Sequence, residues 1–186
     1  DSETSFAPAL VNRIDRNTCG IIIGAKNAEA LRILNEKLKN RELHKLYLCV
    51  VIGKVKKDSG IIEGYLQKNE KQNRVYVSDK SGDNTKHIST KYKVLGYKDG
   101  LSLVEVELLT GRTHQIRVHF DYIGHPLVGD ELYDSPETEF LNHAALHCRQ
   151  ITITHPITLE EMTFVAPLPE DMKKELEKSG FSVDKQ

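Results

Sequence analysis

The chain has 186 residues, 39% of them hydrophobic and 28% charged, with a formal net charge of −1, a size that suits one domain able to bury about 70% of its unfolded surface. Its longest apolar runs, Leu46 to Ile52 and Gly20 to Ala25, are too short to span a bilayer, and no charged-then-apolar leader suggests export. The three cysteines, Cys19, Cys49 and Cys148, have no close pairing; they exclude a disulfide framework and read as reduced, mostly buried thiols of a cytosolic protein.

In chain order, Gly20 to Ile23 reads as a short apolar strand. Asn27 is a good helix N-cap, and Leu31, Leu34 and Leu38 recur at helical spacing up to Asn40. Leu46 to Ile52 is a continuous apolar run ending at Gly53, the pattern of a strand covered on both faces. Ile61 to Ser78 suggests two shorter strands around a polar turn at Asn69 to Asn73, followed by a loop at Lys80 to Asn84. His87 to Gly96 and Leu101 to Leu109 read as a hairpin joined at Lys98-Asp99-Gly100. A helix is predicted from about Thr113 to Ile123, with Ile116, Phe120 and Ile123 as its core stripe and Gly124 and Pro126 as the stop. Leu146 to Thr154 and Thr158 to Ala166 are two further strands around His155-Pro156, and an amphipathic helix runs from near Pro169 to Lys178. There is no repeat or linker. The expected architecture is a single α+β domain, a mixed, mostly antiparallel sheet with packed helices.

Charge is distributed unevenly. Basic residues dominate from Arg32 to Lys57 and again from Lys68 to Lys93, whereas acids predominate from Asp134 onward. Such asymmetry gives either one face suited to phosphates or an ordinary solvated surface. Three clusters carry chemistry. In Asn12 to Gly20, Asp15 is flanked by Arg13 and Arg16. Nearby positive charge favours its ionised form, which serves a nucleophile, a base or a structural ion pair. Thr110 to Phe120 places Arg112, His114, Arg117 and His119 in a helix start, suited to an anion or to satisfying the helix's own ends. Gly124 to Tyr133 reads as a rigid, structured loop. The histidines raise a metal site, His143 and His147 standing four apart. That reading is the weaker one: His147 falls in a predicted strand, no third ligand completes the set, and His114 and His119 diverge by roughly 140° on a helix.

Together these segments resemble the RluA-like family of pseudouridine synthases, in particular the branch acting on large-subunit ribosomal RNA. The family's His-Arg-Leu-Asp and Thr-Ser-Gly motif stands here as Asn12-Arg13-Ile14-Asp15 and Thr18-Cys19-Gly20. Gly111 to His119 matches the helix with the helper arginine, Gly124 to Asp130 follows in order, and Lys45-Leu46-Tyr47 resembles the segment supplying the active-site tyrosine. The tail, Leu146-His147 through His155-Pro156 to Pro169, also fits. Histidine is replaced by Asn12, leucine by Ile14 and serine by Cys19. The family's strand before the first motif and the N-terminal RNA-binding domain of many members are missing, so a chain truncated at its N-terminus is expected.

The resemblance implies an isomerase that converts uridine to pseudouridine in RNA, with no cofactor and no metal. Asp15 makes the essential attack or proton abstraction, Arg117 pairs with Asp15, and Tyr47 lies against the flipped uracil. Arg13, Arg16, Arg112, His114 and Lys45 meet the RNA. A cytoplasmic monomer is expected. The alternatives are the same chemistry on transfer RNA, a non-catalytic RNA-binding module insensitive to substitution at Asp15, and a zinc-dependent hydrolase sensitive to a chelator.

Overall fold

The computed structural model describes residues 6–16, 18–69, 74–133, 135–136 and 138–182. Of the expected turn at Asn69 to Asn73, Asn69 ends β5 and residues 70–73 lie outside the described residues, as do Asn17 of the first motif, Asp134 and Glu137. In chain order the elements are β1 (Ala9–Leu10), β2 (Cys19–Gly20), β3 (Gly24–Ala25), α1 (Ala28–Lys39), β4 (His44–Ile52), β5 (Ser59–Asn69) and β6 (Arg74–Ser78). They continue with β7 (Lys86–Lys98), β8 (Leu101–Leu108), α2 (Gln115–Tyr122), a short 3-10 turn (Glu131–Tyr133), β9 (Leu146–Thr154), β10 (Glu161–Val165) and α3 (Glu170–Lys178).

An eight-stranded sheet runs in the order β10-β9-β4-β8-β7-β5-β6, with β2 added beside β9. Every pairing in it is antiparallel except β2 with β9, where Cys19 lies opposite His147 and Gly20 opposite Cys148. β1 and β3 form a separate two-stranded pair. The mixed, mostly antiparallel α+β architecture is the one expected.

Local chemistry explains the clearest elements. Asn27 caps α1 through its side-chain oxygen, which accepts from the Ala30 N–H at 2.8 Å. The β7–β8 hairpin closes on Asp99 and Gly100, both at positive φ (47° and 80°), the geometry a two-residue turn between twisted strands demands. β4 alternates between two cores: Tyr47, Cys49 and Val51 face one, and Leu48 and Val50 the other. The first core holds Leu34 of α1 and Ile116 and Phe120 of α2; the second holds Met172 and Leu176 of α3. Helices thus cover both faces of β4, and each wholly buried Leu or Met side chain contributes about 1.5–3 kcal/mol.

Two expectations need correction. The run Gly20 to Ile23 is not one strand: only Gly20 belongs to β2, and residues 21–23 form none. Ile21 N–H still reaches the Cys148 carbonyl at 3.1 Å, and Val11 N–H the Ile23 carbonyl at 2.8 Å, so the segment is bridged at its ends without a continuous ladder. The core stripe of α2 is also wider than Ile116, Phe120 and Ile123. All of Gln115 to Phe120 is buried, because the β5–β7 limb packs on its far side, placing Val118 among Leu66, Val75 and Ile88. Polar residues of α2 are therefore inside the protein and need partners there.

Candidate active site

A cleft of about 1030 Å³ opens at the start of β4. Its walls come from stretches far apart in sequence: Leu10 to Asp15 with Thr18, the end of α1 through Tyr47, the end of β8 into Ile116, and Leu146 of β9. Asp15, Tyr47, Lys45, Arg13 and Arg112 line it, so the structure gathers five of the eight predicted site residues at one surface. Arg16 is exposed outside the wall, and His114 and Arg117 lie behind it. Arg41 crosses the rim, its guanidinium donating to the Leu109 carbonyl.

Asp15 is half-buried at a tight turn, where its carbonyl accepts from the Thr18 N–H at 2.9 Å. The turn is tied down by Asn12, which the motif reading passed over as a replaced histidine. Buried to 4% exposure, Asn12 accepts from the Ile23 N–H at 2.8 Å and donates to the Ile21 carbonyl at 3.3 Å. Its amide thus does for residues 21–23 what a neighbouring strand would do. Asn12→Ala is expected to cost about 1–3 kcal/mol in chemical denaturation. A variant as stable as wild type would show the clamp to be dispensable.

Tyr47 projects from β4 into the cleft wall at 5% exposure. Burial raises its phenol above the ordinary range, and Cys148 and Asp15 add to the effect. Tyr47 is therefore a neutral hydroxyl near pH 7, an apolar ring with one donor at its tip. Lys45, two residues earlier on the same strand face, is half-buried, and loss of water lowers its ammonium pKa.

The expected pairing of Arg117 with Asp15 is not the contact found. Arg117 donates from Nε and Nη2 to the two carboxylate oxygens of Asp130, both at 2.7 Å. The reason is burial: Asp130 is 1% exposed and needs a counter-charge, and α2 presents Arg117 directly to it. Burial alone would lower Arg117, but the hydrogen bonds and charge of Asp130 outweigh it and raise the guanidinium pKa, with a further contribution from Asp15. His114 adopts a left-handed backbone (φ 54°) at the N-cap of α2, its Nδ1 3.3 Å from the Tyr133 hydroxyl. Burial first and Arg117 second lower its pKa, leaving the ring neutral.

The other polar residues of α2 are structural. Gln115 donates to the Ser89 carbonyl and the Thr90 hydroxyl at 3.0 Å and accepts from the Arg112 N–H at 3.1 Å, fixing the loop that ends the cleft wall. His119 is fully buried with Nδ1 2.7 Å from Thr90 Oγ1. Burial, reinforced by His87, depresses its pKa to about 4. Free in the unfolded chain it titrates near 6.5, so between pH 6.5 and 4 the unfolded state takes up a proton that the native state refuses. Stability is complete above pH 6.5 and falls by about 3 kcal/mol as the pH drops to 4. Urea midpoints at pH 7 and pH 4.5 should separate less in His119→Gln than in wild type; equal separation would remove His119 as the cause. Of the remaining histidines considered for a metal, His125 Nδ1 lies 2.8 Å from the Ile52 carbonyl, His143 Nε2 2.7 Å from Asp171 Oδ2, and His147 Nδ1 3.4 Å from Cys19 Sγ.

Asn12, Gln115 and Asp130 are the supports that sequence reasoning missed. All three sit inside the quoted motifs, so the signal was present, but each has partners 9 to 26 residues away that no local pattern reveals.

The fold matches two solved structures, Human RNA Pseudouridylate Synthase Domain Containing 4 and Domain Containing 1. The TM-scores are 0.76 and 0.74 at 22% and 24% identity, covering 92% and 97% of this chain and 75% and 83% of those chains. A family model described as RNA pseudouridylate synthase matches residues 1–122, and the chain belongs to that family, in its RluA-like branch. It is 38% identical to an uncharacterized RNA pseudouridine synthase of Chlorobaculum parvum, over 95% of this chain and 59% of that protein. It is 39% identical to one of Bacillus subtilis, over 91% and 55%. It is 37% identical to ribosomal large subunit pseudouridine synthase C of Vibrio vulnificus, over 89% and 53%. The chain therefore spans little more than half the length of these relatives. None of its described helices is long and apolar enough to cross a membrane.

Proposed function

We propose that this chain is a catalytic domain that isomerises uridine to pseudouridine in RNA, with large-subunit ribosomal RNA as its first-choice substrate. The observation that carries the reading is the convergence of Asp15 and Tyr47 in one cleft bordered by Arg13, Lys45 and Arg112. Its volume is at the upper end of the range for small-molecule sites, enough for a uridine drawn out of its helix. Support for the ribosomal substrate comes from relatives named ribosomal large subunit pseudouridine synthase C in Vibrio vulnificus and Haemophilus ducreyi, each 37% identical to this chain.

The reaction breaks the bond from ribose to the uracil nitrogen and remakes it to carbon, so substrate and product have the same composition and oxidation state. Asp15 supplies the carboxylate, acting by attack or by proton abstraction. Tyr47, a neutral phenol, packs its ring against the extruded base and offers its hydroxyl as a donor. Arg13, Lys45 and Arg112, with the exposed Arg16 beside the cleft, hold backbone phosphates and give affinity that falls steeply with salt but little sequence choice, whereas His114, behind the wall, has no direct part in that grip.

The test is incubation of the chain with unmodified large-subunit ribosomal RNA and, separately, with transfer RNA, mapping pseudouridine by base-specific labelling and primer extension. Product at discrete uridines of ribosomal RNA is expected. Product only in transfer RNA would redirect the substrate, and RNA binding without product in either would favour a non-catalytic module.

A further inference from the structure

We infer that Asp130 is a positioning residue for the proposed reaction, fixing Arg117 and with it the start of α2, which walls the cleft that holds Asp15. The inference rests on the functional reading above. Its first support is the fork geometry: two parallel bonds of 2.7 Å consume Nε and Nη2, and a guanidinium held by two bonds cannot swing. A single bond, or a partner on a mobile loop, would leave it free to rotate.

Its second support is how firmly Asp130 itself is held. Leu127 bridges to Val51, Val128 N–H donates to the Val50 carbonyl at 2.9 Å, and Ala145 N–H donates to the Val128 carbonyl at 2.8 Å. The segment is thus stitched to β4, the strand that carries Tyr47. Gly129 then turns the chain at φ 74°, where an added Cβ would lie 2.4 Å from the His143 carbonyl oxygen, so only glycine brings Asp130 to this place. Asp130 is therefore a rigid extension of β4 reaching across to α2.

Its third support is Tyr133, three residues on and wholly buried. Its ring stands 5.3 Å from the Arg117 guanidinium carbon, and its hydroxyl is 3.3 Å from His114 Nδ1. One segment, 130–133, thus fixes both His114 and Arg117 at the start of α2. Asp15 lines the cleft together with Arg112, Thr113, Gln115 and Ile116, the residues that flank His114 and run into Arg117. The chain of position runs from β4 through Asp130 to Arg117 and so to the cleft wall beside the carboxylate.

The experiment compares wild type, Asp130→Asn and Asp130→Glu in the full chain, with thermal melts to establish folding. Two readouts are taken: kcat and KM on the RNA that wild type modifies, and the Nε–H resonance of Arg117 in the free protein, assigned with Arg117→Lys. For a folded Asp130→Asn, kcat is expected to fall by about 100-fold, the loss typical of a slightly misplaced group, with KM within about twofold. The Arg117 Nε–H should lose its protection from solvent exchange. Asp130→Glu keeps the charge but moves it, and should fall between the two; it decides the question should the asparagine variant not fold. Wild-type kcat in whichever variant folds, or a rise in KM alone, would overturn the inference. The resonance is read without RNA, so a freely exchanging Arg117 Nε–H in wild type refutes the tie itself, whereas a protected one with no product from wild type points to failure of the functional reading.

Discussion

Asp15→Asn is expected to lower pseudouridine formation by about 10³-fold or more while RNA affinity stays within about twofold of wild type. The amide has the same shape as the carboxylate, and the turn that holds it depends on the backbone bond from Thr18 and the Asn12 clamp, neither of which involves the Asp15 side chain. The fold should survive unchanged. What is lost is the pair of electrons that attacks carbon or accepts a proton, which an amide offers poorly. In the proposed function affinity is assigned elsewhere, to Arg13, Lys45 and Arg112 around the cleft, and removing a negative charge among them would not weaken a phosphate contact. Single-turnover product formation and filter binding at one fixed salt concentration measure the two quantities. Turnover like that of wild type would sink the assignment of Asp15, and a parallel collapse of affinity would mean that it binds RNA instead of transforming it.

The largest effect on stability is expected at Gly20. Its φ of 123° lies where side-chain-bearing residues are strained, and an added Cβ would sit 2.4 Å from the Cys148 carbonyl oxygen and 2.5 Å from the Cys148 nitrogen. All the nearest atoms belong to Cys148 in β9, whose backbone is fixed by β4 on its other side, so the conflict cannot be relieved by rotating a side chain. Gly20→Ala should separate β2 from β9 and cost about 3 kcal/mol or more, lowering Tm by roughly 10 °C. Because the same separation releases the segment after Asp15, turnover should fall as well, even at temperatures where the variant is folded. A melt within about 2 °C of wild type would show that the approach of β2 to β9 is not as tight as described.

Where local chemistry decides an element, the sequence announced it. Asn27 and the leucine spacing placed α1 to the residue, Asp99-Gly100 located the β7–β8 turn, and the run ending at Gly53 marked β4 as covered on both faces. Where the deciding partner is distant, it did not. Gly20 to Ile23 looks like a strand by composition, yet its middle is satisfied by the side chain of Asn12 and not by a ladder. Arg117 stands equally well, on paper, opposite Asp15 or Asp130. Only the burial of Asp130 against β4 settles which carboxylate takes the fork. That Asp15, Tyr47 and Lys45 line one cleft agrees with their standing in compact motifs, whereas Asn12 and Gln115 act through backbone groups that carry no signature of their own.

The parallel pairing of Cys19 with His147 has a bearing on how the protein comes to exist on the ribosome. Cys19 and Gly20 meet their partners only when strand β9, 128 residues further on, has been made. Synthesis proceeds at about 5–20 residues per second, so a nascent chain spends several seconds with α1 and the β4–β8 meander free to assemble from neighbouring hairpins while β2 waits. During that interval the turn bearing Asp15 has no floor beneath it. The turn that carries Asp15 is therefore among the last parts of this fold to be held in place, after the local hairpins have formed.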